Sequence, residues 1–313
     1  MTDRRLSLTT AVLFGIMVVA WGLNYLFVPF GLQAASPLWL AWMRAVVGAL
    51  GVLVIVRWTS GYGQLDARGR RDAVLIGIPN TAVFYALWFE AARTVPPGET
   101  AVLVYTFPLW VAILSGPVLH DQISRTAWLG IGAGFAGVFL ISQPWTASSH
   151  AASLLAIVEL LAAAVSWATG TILFQKRFRP NEAAEANSYQ FVGGVAGLTL
   201  AVALASPTPL PHLGLTLLYT MLWLGVIGTA IAYAIWFDLL SRTPAATLSA
   251  YVFLVPVVAL VASLALGREH LDPVAGIGVL LVLVGLYAIG RRAPRPPDDP
   301  TVGPLRADDA NLR

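Results

Sequence analysis

Long apolar stretches separated by short polar gaps dominate the chain. Ten of them are about 20 residues long, which is enough for an α-helix to cross a hydrocarbon core of about 30 Å. Proline, glycine, serine or charged residues punctuate nearly every gap, and no gap is long enough for a soluble domain. The stretches lie near residues 10–30, 37–56, 72–92, 98–119, 126–142, 153–175, 186–205, 213–240, 247–266 and 273–290. The pattern predicts an all-α integral membrane protein with ten transmembrane helices.

The apolar pattern also repeats itself. At a shift of 148 residues, segments 77–96 and 225–244 share eight identities in twenty positions, and Pro108 falls on Pro256. At a shift of 146, Trp21 falls on Trp167, Gly48 on Gly194 and Gly51 on Gly197. Repeat one is about 8–143 and repeat two about 152–291. Each holds five predicted helices, an odd number, so we expect two inverted repeats around a central cavity, an arrangement typical of transporters.

Composition and charge support a single membrane domain and give its orientation. The chain is 58% apolar and 11% charged, with a mean hydropathy of +0.75. In a ten-span arrangement, only Arg93 and Arg268 among the basic residues that flank spans fall opposite the others, so both termini are predicted to be cytoplasmic. The net charge of +3 then reflects topology and not nucleic-acid binding. We expect residues 1–292 to form the transmembrane domain and 293–313 a disordered cytoplasmic tail.

Enzyme motifs are scarce. The four histidines fall at loops or span ends, and the chain has no cysteine, so we predict no metal, no cofactor and no catalytic role. The glycines of segment 130–137 are interpreted as a packing surface for another helix. Ser124 and Asp272 are predicted to cap the helices that follow them.

Aromatic and uncharged polar residues at mid-span indicate where a solute would bind. An indole N–H or a hydroxyl at this depth cannot hydrogen-bond to lipid, so it faces protein or a wet cavity. The tryptophans nearer span ends, Trp88 and Trp236 among them, are interpreted as an interfacial belt. For each mid-span residue, an interhelical packing hydrogen bond is the alternative to a solute contact. The candidate cavity lining is Trp21, Asn24, Asn80, Tyr85, Tyr105, Trp110, Trp167, Thr171, Tyr233 and Tyr251.

Two pairs of residues complete the candidate site. Pro108 and Pro256 lie inside the fourth and ninth spans at matching repeat positions, where they predict either hinges or fixed bends. Arg44 and Glu159 are ionisable residues well inside spans, at similar depths below the outer surface. Because isolated charges there are costly, each is predicted to be the other's partner, as a gate or as a static bridge. Two further alternatives are that Glu159 alone carries a coupling proton and that either group contacts the charged ends of the solute.

Several short motifs resemble a known family. They are Trp21-Gly22-x-Asn24, Tyr105-Thr106-x-Pro108, Ser166-Trp167-Ala168, Val255-Pro256-Val257 and Gly267-x-Glu269. Their order and spacing resemble the drug/metabolite transporter superfamily, in its ten-helix EamA-type branch. The resemblance implies a carrier in the bacterial inner (plasma) membrane that exports small metabolites by alternating access.

Within that branch the chain is similar to exporters of aromatic and other neutral amino acids. Export of other small organic solutes or drugs is the alternative, and an intramembrane enzyme is the alternative of a different class. The partners we expect are a small-molecule solute and the lipid bilayer. The sequence leaves the oligomeric state open, and a monomer is compatible with it.

Overall fold

The computed structural model of the protein describes residues 8–95, 97–143, 154–205, 209–267 and 272–290. Over these ranges the regular structure is helical, with no strand. The helices are α1 Leu8–Ala34, α2 Pro37–Thr59, α3 Ala67–Ala91, α4a Pro97–Val104, α4b Phe107–Leu119, α5 Arg125–Ser142, α6 Leu154–Arg177, α7 Ala183–Leu204, α8 Leu215–Arg242, α9a Ala245–Tyr251, α9b Leu254–Ala265 and α10 Pro273–Gly290. The predicted tail 293–313 lies outside the described residues, as does Glu269.

Eight helical segments within the described residues are long and apolar enough to cross a membrane. The two that do not meet this measure are α7, which carries several polar residues near its start, and α10, whose apolar stretch Pro273–Ile289 is shorter. Large apolar side chains also cover the outside of the bundle, for example Leu129 at 73% and Leu154 at 77% exposure. Such a surface suits lipid rather than water. The prediction of a multi-pass membrane protein is therefore confirmed, while the number of ten crossings stays a prediction.

The predicted helix caps are present. The Ser124 side chain accepts a hydrogen bond from the Ala127 amide at 3.1 Å, and Asp272 accepts one from the Val274 amide at 2.6 Å. Each satisfies an amide that the first helical turn cannot bond internally. These caps fix the starts of α5 and α10, which occupy equivalent places in the two repeats.

The helices that cross the middle of the bundle are irregular at matching positions. α3 contains a π-helical segment at Ile78–Val83, and α8 contains one at Leu222–Ile231. In α3, Pro79 lacks the amide that an α-helical turn needs. In α8, the Thr229 hydroxyl donates to the carbonyl of Leu224, five residues earlier, at 2.7 Å. π-helical turns of this kind are frequent at functional sites.

Glycines bring α5 and α10 together backbone to backbone. A Cβ built on Gly130 would lie 2.6 Å from the Gly285 carbonyl oxygen, and one on Gly137 would lie 2.6 Å from that of Gly278. Gly278 and Gly285 are the repeat equivalents of Gly130 and Gly137. The two helices therefore pack through equivalent glycines. The predicted packing role holds for these glycines, whereas a Cβ on Gly132 would meet no atom within 4 Å.

Two other contacts between helices are also related by the repeat. A Cβ on Gly48 of α2 would meet the Thr229 side chain of α8, and one on Gly194 of α7 would meet the Thr81 side chain of α3. Gly194 and Thr81 are the repeat equivalents of Gly48 and Thr229. Each half thus supplies a helix whose glycine packs against the π-helical segment of the other half.

Candidate functional site

A small cavity of about 60 Å³ lies where α1, α2, α3, α4, α6, α8 and α9 meet. Eight of its twelve lining residues are aromatic, and Arg44 is the charged residue among the twelve. The volume suffices for a few water molecules and is well below the roughly 300–1,000 Å³ of ligand pockets. The lining consists of Trp21, Asn24, Tyr25, Arg44, Phe84, Trp88, Val104, Tyr105, Phe107, Trp167, Tyr233 and Val252.

Three rings from three helices form the centre of this lining. Trp21 of α1, Trp167 of α6 and Tyr233 of α8 meet edge to face, with ring centroids 5.3 to 6.2 Å apart. The Trp21 indole N–H donates to the Gly228 carbonyl at 3.2 Å, which fixes the position of that ring. Edge-to-face contacts are favourable but weak enough to exchange for contacts with a bound ring.

Arg44 reaches this centre from α2 and is 2% exposed. Its Nε donates to the Thr229 hydroxyl oxygen at 2.9 Å, and its Nη2 donates to the Gly228 carbonyl at 3.3 Å. The guanidinium carbon also lies 4.7 Å from the Tyr85 ring centroid and 5.3 Å from that of Trp88. Aromatic faces attract a cation, so this surrounding offsets part of the cost of burying the charge.

Two polar atoms of the cavity residues have no hydrogen-bond partner. Nη1 of Arg44 and Oδ1 of Asn24 are buried and unpaired. A buried donor or acceptor without a partner typically costs about 1–3 kcal/mol. Both lie beside the same residue, since Arg44 donates to the Gly228 carbonyl and a Cβ on Gly228 would lie 2.3 Å from the Asn24 oxygen. Two residues of the cavity lining therefore carry a buried donor and a buried acceptor that no protein group satisfies.

The helix breaks adjoin the cavity. Pro108 lies just after the break between α4a and α4b, and Pro256 just after the break between α9a and α9b. A proline has no amide for the carbonyl four residues earlier, which is that of Val104 for Pro108 and that of Val252 for Pro256. Val104 and Val252 both line the cavity. The matching prolines thus interrupt two helices at the candidate site, and a hinge role for them stays a proposal.

The structure brings half of the ten predicted lining residues to the cavity, namely Trp21, Asn24, Tyr105, Trp167 and Tyr233. The others pack nearby. Asn80 donates to the Gln190 side chain at 3.1 Å, Tyr85 lies 3.3 Å from the Thr229 hydroxyl beneath Arg44, and Tyr251 packs edge to face on Phe14. Trp110 and Thr171 keep a polar atom without a partner but do not line the cavity.

Two tryptophans assigned to the interfacial belt are buried instead. Trp88 is 7% exposed and lines the cavity, and Trp236 is fully buried against the Trp21 ring at 5.5 Å. Nearness to a span end misled the assignment. The missed residues carry a helical signal that could have found them, because Tyr25 follows Trp21 by four residues and Trp88 follows Phe84 by four.

The predicted ion pair between Arg44 and Glu159 is wrong in this structure. Arg44 bonds to Thr229 and Gly228, and Glu159 has no ion pair within the described part of the chain. Depth along two helices cannot show which way each side chain points, and here the aromatic rings and a carbonyl take the place of the carboxylate.

Two polar side chains missed by the sequence analysis clamp loops on the predicted cytoplasmic side. Glu185 of α7 is 1% exposed, and its Oε2 accepts the amide protons of residues 63–65 at 2.6 to 3.1 Å. Gln175 of α6 donates to the carbonyls of Leu240 and Thr243 at 2.6 Å and accepts from the Ala245 amide at 2.8 Å. These bonds tie the connection after α2 to α7 and the connection after α8 to α6.

A second cavity of about 400 Å³ lies at the predicted cytoplasmic ends of α2, α7 and α8. Its lining mixes apolar and polar side chains, including the ion pair of Arg242 with Asp238 at 2.7 Å. The lining is Val52, Ile55, Val56, Thr59, Ser60, Pro180, Asn181, Ala184, Asn187, Ala234, Asp238 and Arg242. Nothing in the sequence pattern indicated this cavity.

Comparison with known proteins gives matches over nearly the whole chain. Residues 8–143 and 154–291 each match the EamA-like transporter family. A probable amino-acid metabolite efflux pump of Escherichia coli K12 is 27% identical over 295 residues, covering 90% of this chain and 95% of the relative. YedA, an uncharacterized inner membrane transporter of the same strain, is 26% identical over 320 residues, covering 98% and 99%.

A solved crystal structure shares the fold. It superposes with a TM-score of 0.75 at 17% sequence identity, covering 91% of this chain and 99% of the other. At this identity the likeness concerns the fold alone. The double family match agrees with the repeat found in the sequence.

Proposed function

Because the chain belongs to the EamA-like transporter family, it is a multi-pass membrane transporter, and we propose that it exports small metabolites, foremost aromatic and other neutral amino acids, as a secondary carrier. The observation that carries the proposal is the central cavity, which is lined by eight aromatic residues and one buried cation. Flat rings bind other flat rings, and a few polar groups fix orientation. The relative named as a probable amino-acid metabolite efflux pump supports the same solute class.

We further propose that the protein works by alternating access, with two inverted five-helix repeats and both termini in the cytoplasm of a bacterium, in its inner (plasma) membrane. The exchanged contacts of Gly48 with Thr229 and Gly194 with Thr81 support the repeat symmetry. The breaks before Pro108 and Pro256 supply equivalent places for the two halves to bend. Because the cavity holds only about 60 Å³, a solute the size of an amino acid requires the lining rings to move apart.

Reconstitution tests the transport proposal. The purified protein in liposomes is assayed for exchange of labelled amino acids, with and without a pH gradient and against protein-free liposomes. We expect exchange of aromatic and other neutral amino acids above that background. Exchange of none of them would contradict the proposed solute class, and the dependence on the pH gradient would identify the energy coupling.

Cysteine labelling tests the topology, because the chain supplies no competing thiols. Arg68→Cys lies at an exposed position in the first turn of α3, and Leu213→Cys lies before α8 at a position that is 88% exposed. We expect a membrane-impermeant maleimide added to intact cells to label position 213 and not position 68. Labelling of position 68 alone would contradict the proposed orientation.

A further inference from the structure

The two unpaired atoms of the central cavity have complementary chemistry. Arg44 Nη1 can only donate a hydrogen bond, and Asn24 Oδ1 can only accept one. We propose that Arg44 binds the α-carboxylate and Asn24 the α-ammonium group of an amino acid, so that the carrier recognises the zwitterionic head as well as the ring. This inference rests on the proposed function and names the group by which that site selects its solute.

The carboxylate assignment follows from the environment of the guanidinium. Arg44 is 2% exposed and has no carboxylate within 4 Å in the described residues. Its hydrogen bonds to Thr229 and Gly228 use Nε and Nη2. They hold the guanidinium group in one orientation and leave Nη1 for another partner. A charge-assisted hydrogen bond to a carboxylate is shorter and roughly twice as strong as a neutral one. A solute carboxylate would thus satisfy the free donor and neutralise the buried cation.

The ammonium assignment follows from the position of Asn24. It lies three residues after Trp21 and one before Tyr25, so all three share one face of α1 and all line the cavity. The amide oxygen can accept from an ammonium group, and the neighbouring rings attract a cation. A neutral acceptor gives less energy than an ion pair, so we expect the carboxylate to contribute more to binding than the ammonium group.

In the other half, the side chain at the equivalent position is already hydrogen-bonded to protein groups. Arg44 corresponds to Gln190, which accepts from Asn80 at 3.1 Å and donates to Asn187 at 2.8 Å. Of these three residues none lines the central cavity. The donor and acceptor free to bind a solute head therefore belong to one side of the cavity, which would hold the solute in one orientation.

The test uses ligands that differ only in the head group. Wild-type protein in liposomes loaded with phenylalanine is assayed for uptake of labelled phenylalanine in the presence of 3-phenylpropionate, phenylalaninamide or phenethylamine. We expect 3-phenylpropionate, which lacks the ammonium group, to compete within about tenfold of phenylalanine. The amide and the amine, which lack the carboxylate, are expected to compete at least tenfold more weakly than 3-phenylpropionate. This comparison needs no variant, so it does not depend on whether a substitution folds.

Variants then assign the groups. Arg44→Gln should lose the preference for carboxylates, and Asn24→Leu should lose the preference of phenylalanine over 3-phenylpropionate. Arg57→Gln removes an exposed arginine from the same helix and should keep both preferences. Folding of each variant is checked by size-exclusion chromatography in detergent. Arg44→Lys is a second variant, which keeps the positive charge but lacks the planar guanidinium group with its several donors.

The outcomes separate the two proposals. Equal competition by phenethylamine and phenylalanine would overturn the head-group inference while amino-acid exchange stands. Retained carboxylate preference in folded Arg44→Gln would overturn it as well. Wild-type protein that exchanges no amino acid would overturn both the inference and the proposed solute class.

Discussion

Arg44 in the first half and Gln190 in the second occupy the same repeat position, 146 residues apart, but their surroundings differ. Gln190 is fully buried and bonded on both sides by Asn80 and Asn187. Arg44 is equally buried, carries a charge, and leaves one nitrogen unpaired beside the cavity. Gln190 thus has both groups of its side-chain amide bonded, whereas Arg44 keeps one donor without a partner. The position of Arg44 therefore marks the site, because a buried charge without a counter-ion lowers stability and requires another explanation.

Exchanging the two residues should affect stability most strongly. Gln190→Arg places a charge among neutral partners that already bond to one another, and we expect a loss of about 3 kcal/mol or more of unfolding free energy. Arg44→Gln removes a buried charge and should leave stability nearly unchanged. Thermal unfolding of both variants in detergent measures the difference. Equal stability of the two variants would show that the halves differ in sequence but not in electrostatic environment.

Glycines at one repeat position give the next largest effect. A Cβ on Gly77 would lie 1.8 Å from the Gln190 carbonyl oxygen, whereas a Cβ on its equivalent Gly225 would lie 2.5 Å from the Val47 side chain. Backbone cannot move aside as a side chain can. Gly77→Ala should therefore cost about 1–3 kcal/mol, and Gly225→Ala less. Gly132→Ala, which meets no atom within 4 Å, is the control in the same unfolding assay. A Gly225→Ala variant less stable than Gly77→Ala would contradict this packing.

Ring removal should affect transport more modestly. Trp21→Ala and Trp167→Ala each take one ring from the cavity, and an aromatic pair contributes about 0.5–1.5 kcal/mol beyond its buried area. We expect up to about a tenfold rise in the KM for an aromatic amino acid. Trp39→Ala is the matched control, because Trp39 is half-buried and packs on Trp42 away from the cavity. Equal KM changes for all three variants would remove the rings from solute binding.

The sequence predicted the helices better than the site, for a physical reason. Span length and caps depend on residues close in the chain, and Ser124 and Asp272 cap their helices as expected. Which face of a helix turns inward depends on packing between helices. A π-helical turn also rotates the residues that follow it about the helix axis, so they face another direction than a regular α-helix predicts. Tyr85 and Asn80 were therefore placed in the cavity that Trp88 lines instead. The partners of Arg44 could not be predicted from depth alone, since one of them is the backbone carbonyl of Gly228, and a backbone carbonyl carries no sequence signal.

The smallest effect is expected at Glu159, whose repeat equivalent is the apolar Leu13. Glu159 is half-buried on α6, lines neither cavity and is not bonded to Arg44. Glu159→Gln keeps the shape and removes a carboxylate that has no ion pair in the described residues, so we expect the transport rate to change by no more than about twofold. Transport of the variant and wild type is compared between pH 5 and pH 8 in proteoliposomes. A large loss of transport rate, or the loss of its pH dependence, would instead identify Glu159 as the proton-coupling residue. The functional difference between the two halves would then lie at Glu159 of α6 and not at Arg44 of α2.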